Sequence, residues 1–263
     1  MRPREDEKPV RATSPVQSIQ RAVAILRSFT ETEPELSVGE LSRRLNLHKS
    51  TVSRILATLQ QEGLVGQNPV TGRYRLGLGL VSLAGVALGR LDVRGIAQPH
   101  LPHLVEITEE TINVTVLDGS ECVNVERAAS PKPIHYVGWI GRRTPVHCTA
   151  GGRVFLAFMP EQKRRALLAA PLRRYTSCTI TDPEQLLCTL QQVREQGYAV
   201  VHGEFEEGFS DVAAPVLNHR REVVAALVVS GPSFRLTPER IASFLPDLLE
   251  TARVISTKLG WRG

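Results

Sequence analysis

Six side chains able to bond nucleic acid fall close together: Lys49, Ser50, Thr51, Ser53, Arg54 and Thr58. They alternate with Val52, Ile55, Leu56 and Leu59. At helical spacing the apolar set forms one buried stripe and the hydroxyls and cations form the opposite face. Hydroxyls can bond base edges or phosphates, and an arginine can bond guanine bidentately. No acid follows until Glu62. This inventory suits a helix lying in a DNA major groove. The plainer reading is a solvated face on a small helical hairpin, where glutamates would normally be interspersed.

Other groups raise other chemistries. Ser210, Ser230, His147, His202 and Asp211 are the raw materials of a nucleophile, a base and an orienting group. Yet the chain has no GxSxG elbow, no HExxH and no Walker loop. A small-molecule enzyme fused to a DNA-binding module is therefore a remote alternative. His147, His202, Glu204 and Asp211 are weak candidates for metal ligands, since histidines with carboxylates suit zinc. The opposing reading is a satisfied pocket histidine at 147 and a surface one at 202. Cys122, Cys148, Cys178 and Cys188 form no CxxC pair, so they read as thiols in a reducing cytoplasm. No cofactor is implied, and Gly77-Leu78-Gly79 is too short to count as a phosphate loop.

The elements that must hold these groups can be read in order. Residues 1–15 mix charge and proline without periodicity and read as a disordered arm with no secretory signal. Ile19, Ala22, Val23, Leu26 and Phe29 keep helical spacing from Ser18, giving a supporting helix. Ser37 with Glu40 forms a capping box. Val38, Leu41 and Leu45 give the next helix its apolar face. Asn46-Leu47-His48 is the turn before the Lys49 helix, and Gly63 is its stop signal. Leu64–Gln67 and Arg73–Leu76 flank a Pro/Gly turn and predict a two-stranded wing, with Arg73 and Arg75 on one side.

From Gly77 to Leu91 small residues and leucines alternate almost all round. Such a helix is buried against a second copy or both domains, or is a core helix of one subunit. Beyond it, Leu91–Thr108 predicts a helix bent near Pro99 and Pro102. Ile112, Val114 and Val116 alternate with polar residues and turn at Asp118-Gly119. Ile134–Val137 reads as a further strand. Gly151 and Gly152 open a helix and would leave backbone N–H groups facing an anion. Helices over 161–170 and 183–196 follow, then strands at 197–202, 212–217 and 223–229, and a last helix from Thr237. The sum is an α+β chain with an antiparallel sheet and helices at its ends or on one face.

At 263 residues there is room for two domains. Residues 1–90 carry 13 basic and 8 acidic side chains, whereas residues 91–263 carry 19 of each. The whole net charge of +5 therefore sits on the segment with the helix-turn-helix pattern, the footprint of a DNA-binding module joined to a neutral domain. The apolar run from Leu76 to Gly89 is short of the roughly 20 residues that span a bilayer, so no membrane partner is expected.

The chain resembles the IclR family of bacterial transcriptional regulators. The resemblance rests on Ser18-Ile-Gln-Arg-Ala-Val-Ala-Ile-Leu, Lys49-Ser-Thr-Val-Ser-Arg, Arg73-Tyr-Arg-Leu-Gly and the His147–Ala157 segment. Its most specific parts are Gly197-Tyr198, Glu204-x-Glu206-Glu207-Gly208, Ala213-Ala-Pro-Val and Ser230-Gly-Pro. Beyond the arm read from composition (1–15), it implies a winged helix-turn-helix domain (16–77), a linker helix (78–91) and a GAF-like effector-binding and oligomerisation domain (92–260). It also implies a homodimer or homotetramer that binds double-stranded promoter DNA under control of a small organic acid or aromatic catabolite. An alternative keeps the regulator and adds a metal to the C-terminal domain.

The family's effector pocket falls on Gly151, Gly152, Ser230, Phe209 and Asp211, with Val137, Trp139 and Pro145 on the opposite lip. Two departures stand out: Asp211 where many members have cysteine, and Val228 where some have a second serine. An aspartate facing a carboxylate repels it unless protonated or bridged. The expectation is a hydroxylated, partly cationic or neutral aromatic ligand rather than a small keto acid, with Asp211 turned to solvent or backbone as the alternative.

Overall fold

The computed structural model describes residues 16–30, 32–88 and 92–262. The arm expected over 1–15 and the end of the linker at 89–91 lie outside them. The chain divides into two compact units, residues 1–89 and 90–263.

The first unit contains α1 (Gln17–Leu26), α2 (Val38–Leu45), α3 (Lys49–Gln61), β1 (Val65–Gln67), β2 (Tyr74–Leu76) and α4 (Gly79–Leu88). Ser37 caps α2 through Glu40 N–H while the Glu40 carboxylate accepts from Ser37 N–H at 2.7 Å, the reciprocal box read from sequence. Asn46 takes the left-handed conformation and ends α2. Gly63, at φ +67°, follows α3. Leu41, Val52, Leu56, Leu59, Val65 and Tyr74 close the core together with Ile25 of α1.

One expectation changes here. Ile25 is the fully buried side chain of α1, whereas Ile19 and Val23 of the predicted stripe are exposed. Gly77 and Gly79 are glycines for packing. Gly79 N–H donates to the Gly63 carbonyl at 3.0 Å, and a Cβ on Gly77 would overlap that same carbonyl. The apolar α4 presents Val81, Leu83 and Val86 uncovered.

The second unit opens with α5 (Asp92–Ala97), a 3-10 turn at Gln98–His100 that absorbs Pro99, and α6 (Leu101–Thr108). Six strands follow: β3 (Thr111–Asp118), β4 (Glu121–Ala128), β5 (Arg143–Pro145), β6 (Ala199–His202), β7 (Phe209–Leu217) and β8 (Val223–Pro232). They form one antiparallel sheet in the order β5-β4-β3-β8-β7-β6. Between β5 and β6 lie α7 (Ala150–Phe158), α8 (Glu161–Leu167) and α9 (Pro183–Gln196), and α10 (Pro238–Lys258) ends the fold.

Both sheet faces are covered. Val228, Ala226, Ala213 and Val201 pack under α7 and α9. The alternate side chains face α10, α6 and α5, where Phe244, Leu248 and Ile255 are buried. The expectation of helices on one face is thus corrected. It has a direct consequence for β3, whose Asn113 and Thr115 are buried. The segment 134–137 is not a strand; the strand that completes the edge is β5, with Pro145 opposite Glu121.

Candidate functional site

On α3 the exposed face carries Lys49, Ser50, Ser53 and Arg54, with Thr51 half-buried. Neither Lys49 nor Arg54 has a carboxylate partner among the described residues. His48, by its place in the sequence only a turn residue, is the N-cap. Its ring nitrogen accepts from Ser50 N–H and pairs with the Ser50 hydroxyl at 2.8 Å. The first hydroxyl of the face is therefore held by the cap. Thr58 bonds back to the Arg54 carbonyl.

The wing separates its two arginines. Arg73 donates to the Glu40 carboxylate at 2.8 Å and to the Glu35 carbonyl at 3.2 Å, pinning the root of the wing to the start of α2. Glu40 lies far below the usual carboxylate range, at about 2, chiefly because it accepts from the Ser37 backbone and hydroxyl and then from Arg73. Arg73 is thus a strut. Arg75 is exposed and has no acidic partner among the described residues.

The second unit holds a small cavity of ≈ 20 Å³, room for about one water. Asn113, Thr115, Asn124 and Thr144 wall one side, Gly151 and Thr149 the start of α7, and Asp211, Val228 and Ser230 the sheet floor. Tyr136 covers the mouth. Alternation explains the polar wall: Asn113 and Thr115 share the face of β3 that looks at α7. Asp211 and Ser230 are directly opposite on β7 and β8. Burial pushes the Asp211 carboxyl up to about 6; the Ser230 hydroxyl beside it pulls the other way. Ser230 also accepts from the Asn113 amide at 3.4 Å. Asp211 is therefore a half-buried cavity residue beside the Ser230 hydroxyl.

Among the described residues no acceptor faces the N–H of Ala150 or Gly151, so the start of α7 offers two donors. Gly152 does not join them. Its N–H is taken by the Thr149 hydroxyl at 3.4 Å, and a Cβ there would run into the Val146 backbone. Phe209, Val137, Trp139 and Pro145 also fall outside the lining. Phe209 packs edge-on against Tyr136 at 5.7 Å, and the Pro145 carbonyl accepts from Thr149. The Val137 carbonyl accepts from Arg142 at 2.8 Å.

Arg142 is the residue that sequence reasoning missed. Its guanidinium stands 4.9 Å from both the Tyr136 and Trp139 rings, 5.6 Å from Phe205, and pairs with Glu206. It holds the 136–142 segment over the mouth. Gly138 presses so close that a Cβ there would lie 3.1 Å from Asn113 Oδ1 and 3.0 Å from the Tyr136 ring. No periodicity signals this role, since the segment has none.

The metal alternative loses its geometry. The His147 ring nitrogen bonds the Arg173 carbonyl at 2.9 Å. Glu204 is buried in an ion pair with Arg153 at 2.7 Å and accepts from Ile180 N–H. His202 pairs with the Ser210 hydroxyl at 3.0 Å, and that hydroxyl bonds Ser233. Among the described residues no three His, Cys, Asp or Glu side chains gather as a ligand set. Burial holds the Cys122 and Cys148 thiols at about 12, well away from thiolate chemistry.

Comparison with known proteins agrees with this geometry. Residues 18–69 match the IclR helix-turn-helix domain, and residues 85–257 match the bacterial transcriptional regulator IclR C-terminal domain. The chain is 38% identical over 247 residues to the HTH-type transcriptional regulator XynR of Escherichia coli K12, covering 94% of this chain and 98% of that protein. It superposes on the crystal structure of Thermotoga maritima IclR with a TM-score of 0.79 at 31% identity, covering 93% and 99% of the two chains. An IclR homologue from Microbacterium hydrocarbonoxydans, solved with 4-hydroxybenzoate, gives a TM-score of 0.80 at 27% identity over 93% of this chain and 99% of that one.

Proposed function

Because the chain belongs to the IclR family and is a DNA-binding transcriptional regulator with a C-terminal effector domain, we propose that α3 reads an operator while the cavity at Asp211 senses a hydroxylated aromatic or aliphatic carboxylic acid. Lys49, Thr51, Ser53 and Arg54 reach bases or phosphates, and Arg75 reaches a phosphate beside the groove. Arg73 and Ser50 act indirectly, by holding the wing and the helix start.

The observation that carries the effector reading is the polarity of the cavity's two ends. Open N–H groups at the start of α7 favour a carboxylate. A carboxyl poised near pH 6 accepts a hydrogen bond from a ligand hydroxyl once ionised. A ligand bearing both groups, such as the 4-hydroxybenzoate held by the Microbacterium homologue, would satisfy both ends, while a small keto acid would meet Asp211 with like charge. The cavity's small volume means that Tyr136 and the 136–142 segment move aside on entry. That movement gives the ligand the differential affinity a switch requires.

Two copies acting together fit the exposed apolar side chains of α1 and α4, Ile19, Val23, Val81, Leu83 and Val86. Half-sites would then lie about one helical turn of DNA, or a multiple, apart. The test is binding of the full chain to its own promoter region, with and without candidate hydroxy acids. If Arg54 contacts a base, Arg54→Ala weakens binding by about 1–3 kcal/mol and relaxes sequence preference. Equal weakening on random duplex would instead make it a phosphate contact. Promoter binding no stronger than random-duplex binding would end the reading.

A further inference from the structure

The larger cavity of the second unit lies at the other end of α7. It measures ≈ 950 Å³ and sits where the C-terminal end of α7 meets α8, the β3–β4 turn and the start of β8. Its floor is apolar: Leu117, Phe155, Phe158, Met159 and Leu167. Its rim is cationic, with Lys163, Arg164, Arg194 and Arg221 against two acids, Glu161 and Glu222.

The acids are already engaged. Glu161 pairs with Arg165 at 2.5 Å, and Glu222 accepts from the Asn218 amide at 3.1 Å. The four cations are not: among the described residues none of them forms an ion pair. Arg164 donates one long bond, 3.4 Å, to the Leu156 carbonyl, and its buried Nε has no acceptor at all. Burying a guanidinium nitrogen without an acceptor is unfavourable unless something supplies one. Arg194 lies in the last turn of α9 and Arg164 in that of α8, where the helix dipoles favour a cation. Arg221 is not accounted for in this way. It holds a left-handed backbone, φ +62°, at the β7–β8 turn, where glycine would be the unstrained choice. Strain is accepted there to place a cation on the rim of an apolar bowl.

We propose that this bowl is a second ligand site, distinct from the Asp211 cavity, and that it takes an amphipathic carboxylate: an apolar chain or ring in the bowl with its carboxylate at Lys163, Arg164 and Arg221. The volume matches small-molecule sites, and an apolar floor with a few convergent polar groups is their usual lining. Charge complementarity selects the anion over an alcohol or an amine of the same length.

Sodium octanoate tests this against the full chain by titration calorimetry, with 1-octanol as the uncharged control. Octanoate is expected to saturate one site per chain and to bind at least about tenfold tighter than 1-octanol. The combined variant Lys163→Gln, Arg164→Gln, Arg221→Gln should weaken octanoate roughly tenfold, about twofold per cation, with an unchanged unfolding temperature. Arg221→Gly, which relieves the backbone strain, should weaken octanoate while raising thermal stability. Asp211→Asn should leave octanoate binding as it was, which separates this site from the effector cavity. The proposal is overturned if octanoate does not saturate, if Asp211→Asn and not the triple variant abolishes it, or if the triple variant instead dissolves a concentration-dependent self-association, which would make the bowl an interface between copies.

Discussion

Replacing Asp211 by asparagine should stabilise this protein at neutral pH and do almost nothing in acid. Asp211 titrates at about 6 in the fold against 3.8 for an ordinary aspartate, because burial between β7, β8 and the Tyr136 ring removes its hydration. A carboxyl whose folded pKa is raised favours the neutral form. Below about pH 4 both states are protonated and no penalty exists. Between about 4 and 6 the unfolded chain has lost the proton that the folded one keeps, so stability falls as pH rises. Above about 6 the folded state holds a desolvated carboxylate at full cost.

A rise from 3.8 to about 6 corresponds to about 3 kcal/mol, since each tenfold change in acidity is worth about 1.36 kcal/mol. The side chain is only half-buried, so about 2 kcal/mol is the fairer figure. For a unit of this size that is about 4–8 °C in Tm. Tryptophan fluorescence reports on the second unit alone, because both tryptophans, Trp139 and Trp261, lie in it. Thermal unfolding followed in this way should show the Asp211→Asn variant melting higher at pH 8 and level with the parent at pH 4. A gain of the same size at both pH values would mean that the substitution merely improves packing. A loss at pH 8 would mean that the carboxylate is stabilised in the cavity, and the reasoning from desolvation would be wrong.

Three further outcomes follow from the geometry. Glu40→Gln should lower the melting temperature of the first unit at pH 7, since a neutral amide keeps the α2 capping box but accepts more weakly from Ser37 and loses the charge that holds the Arg73 strut. Its folded pKa is depressed, so this contribution is complete above about pH 4.5 and is lost as pH falls through about 2, where parent and variant should converge in circular dichroism melts. Arg142→Ala should release the 136–142 segment, which hydrogen exchange would report as lost protection there with β3 and β8 unchanged. Arg153→Ala leaves Glu204 buried without its partner and should destabilise the second unit by about 3–5 kcal/mol in urea unfolding, whereas Arg153→Met with Glu204→Leu should cost far less.

The DNA-binding unit was legible because its signals are local. A capping box, a 3.6-residue stripe and a stop glycine each act within a few residues, so α2, α3 and the wing stand where the spacing puts them. The antiparallel sheet was legible for the same reason, through alternation and turn residues. What spacing cannot carry is which partner lies across from a side chain. Arg73 and Arg75 are equivalent by alternation, yet Glu40, distant in sequence, takes one and leaves the other. Gly151 and Gly152 are equivalent neighbours, yet Thr149 and Val146 close off the second. Asn113 and Thr115 alternate with apolar neighbours, a period that does not say what lies over their face; α7 does.

The sequence alone therefore settled the family, the two units and the helix-turn-helix, since these depend on residue type and local period. The tertiary structure alone decided that Asp211 lines a small polar cavity, that Arg142 holds the segment beside it, and that Glu204 belongs to Arg153 rather than to a metal. Those facts depend on long-range burial, and burial sets both the charge state of a carboxyl and the company it keeps.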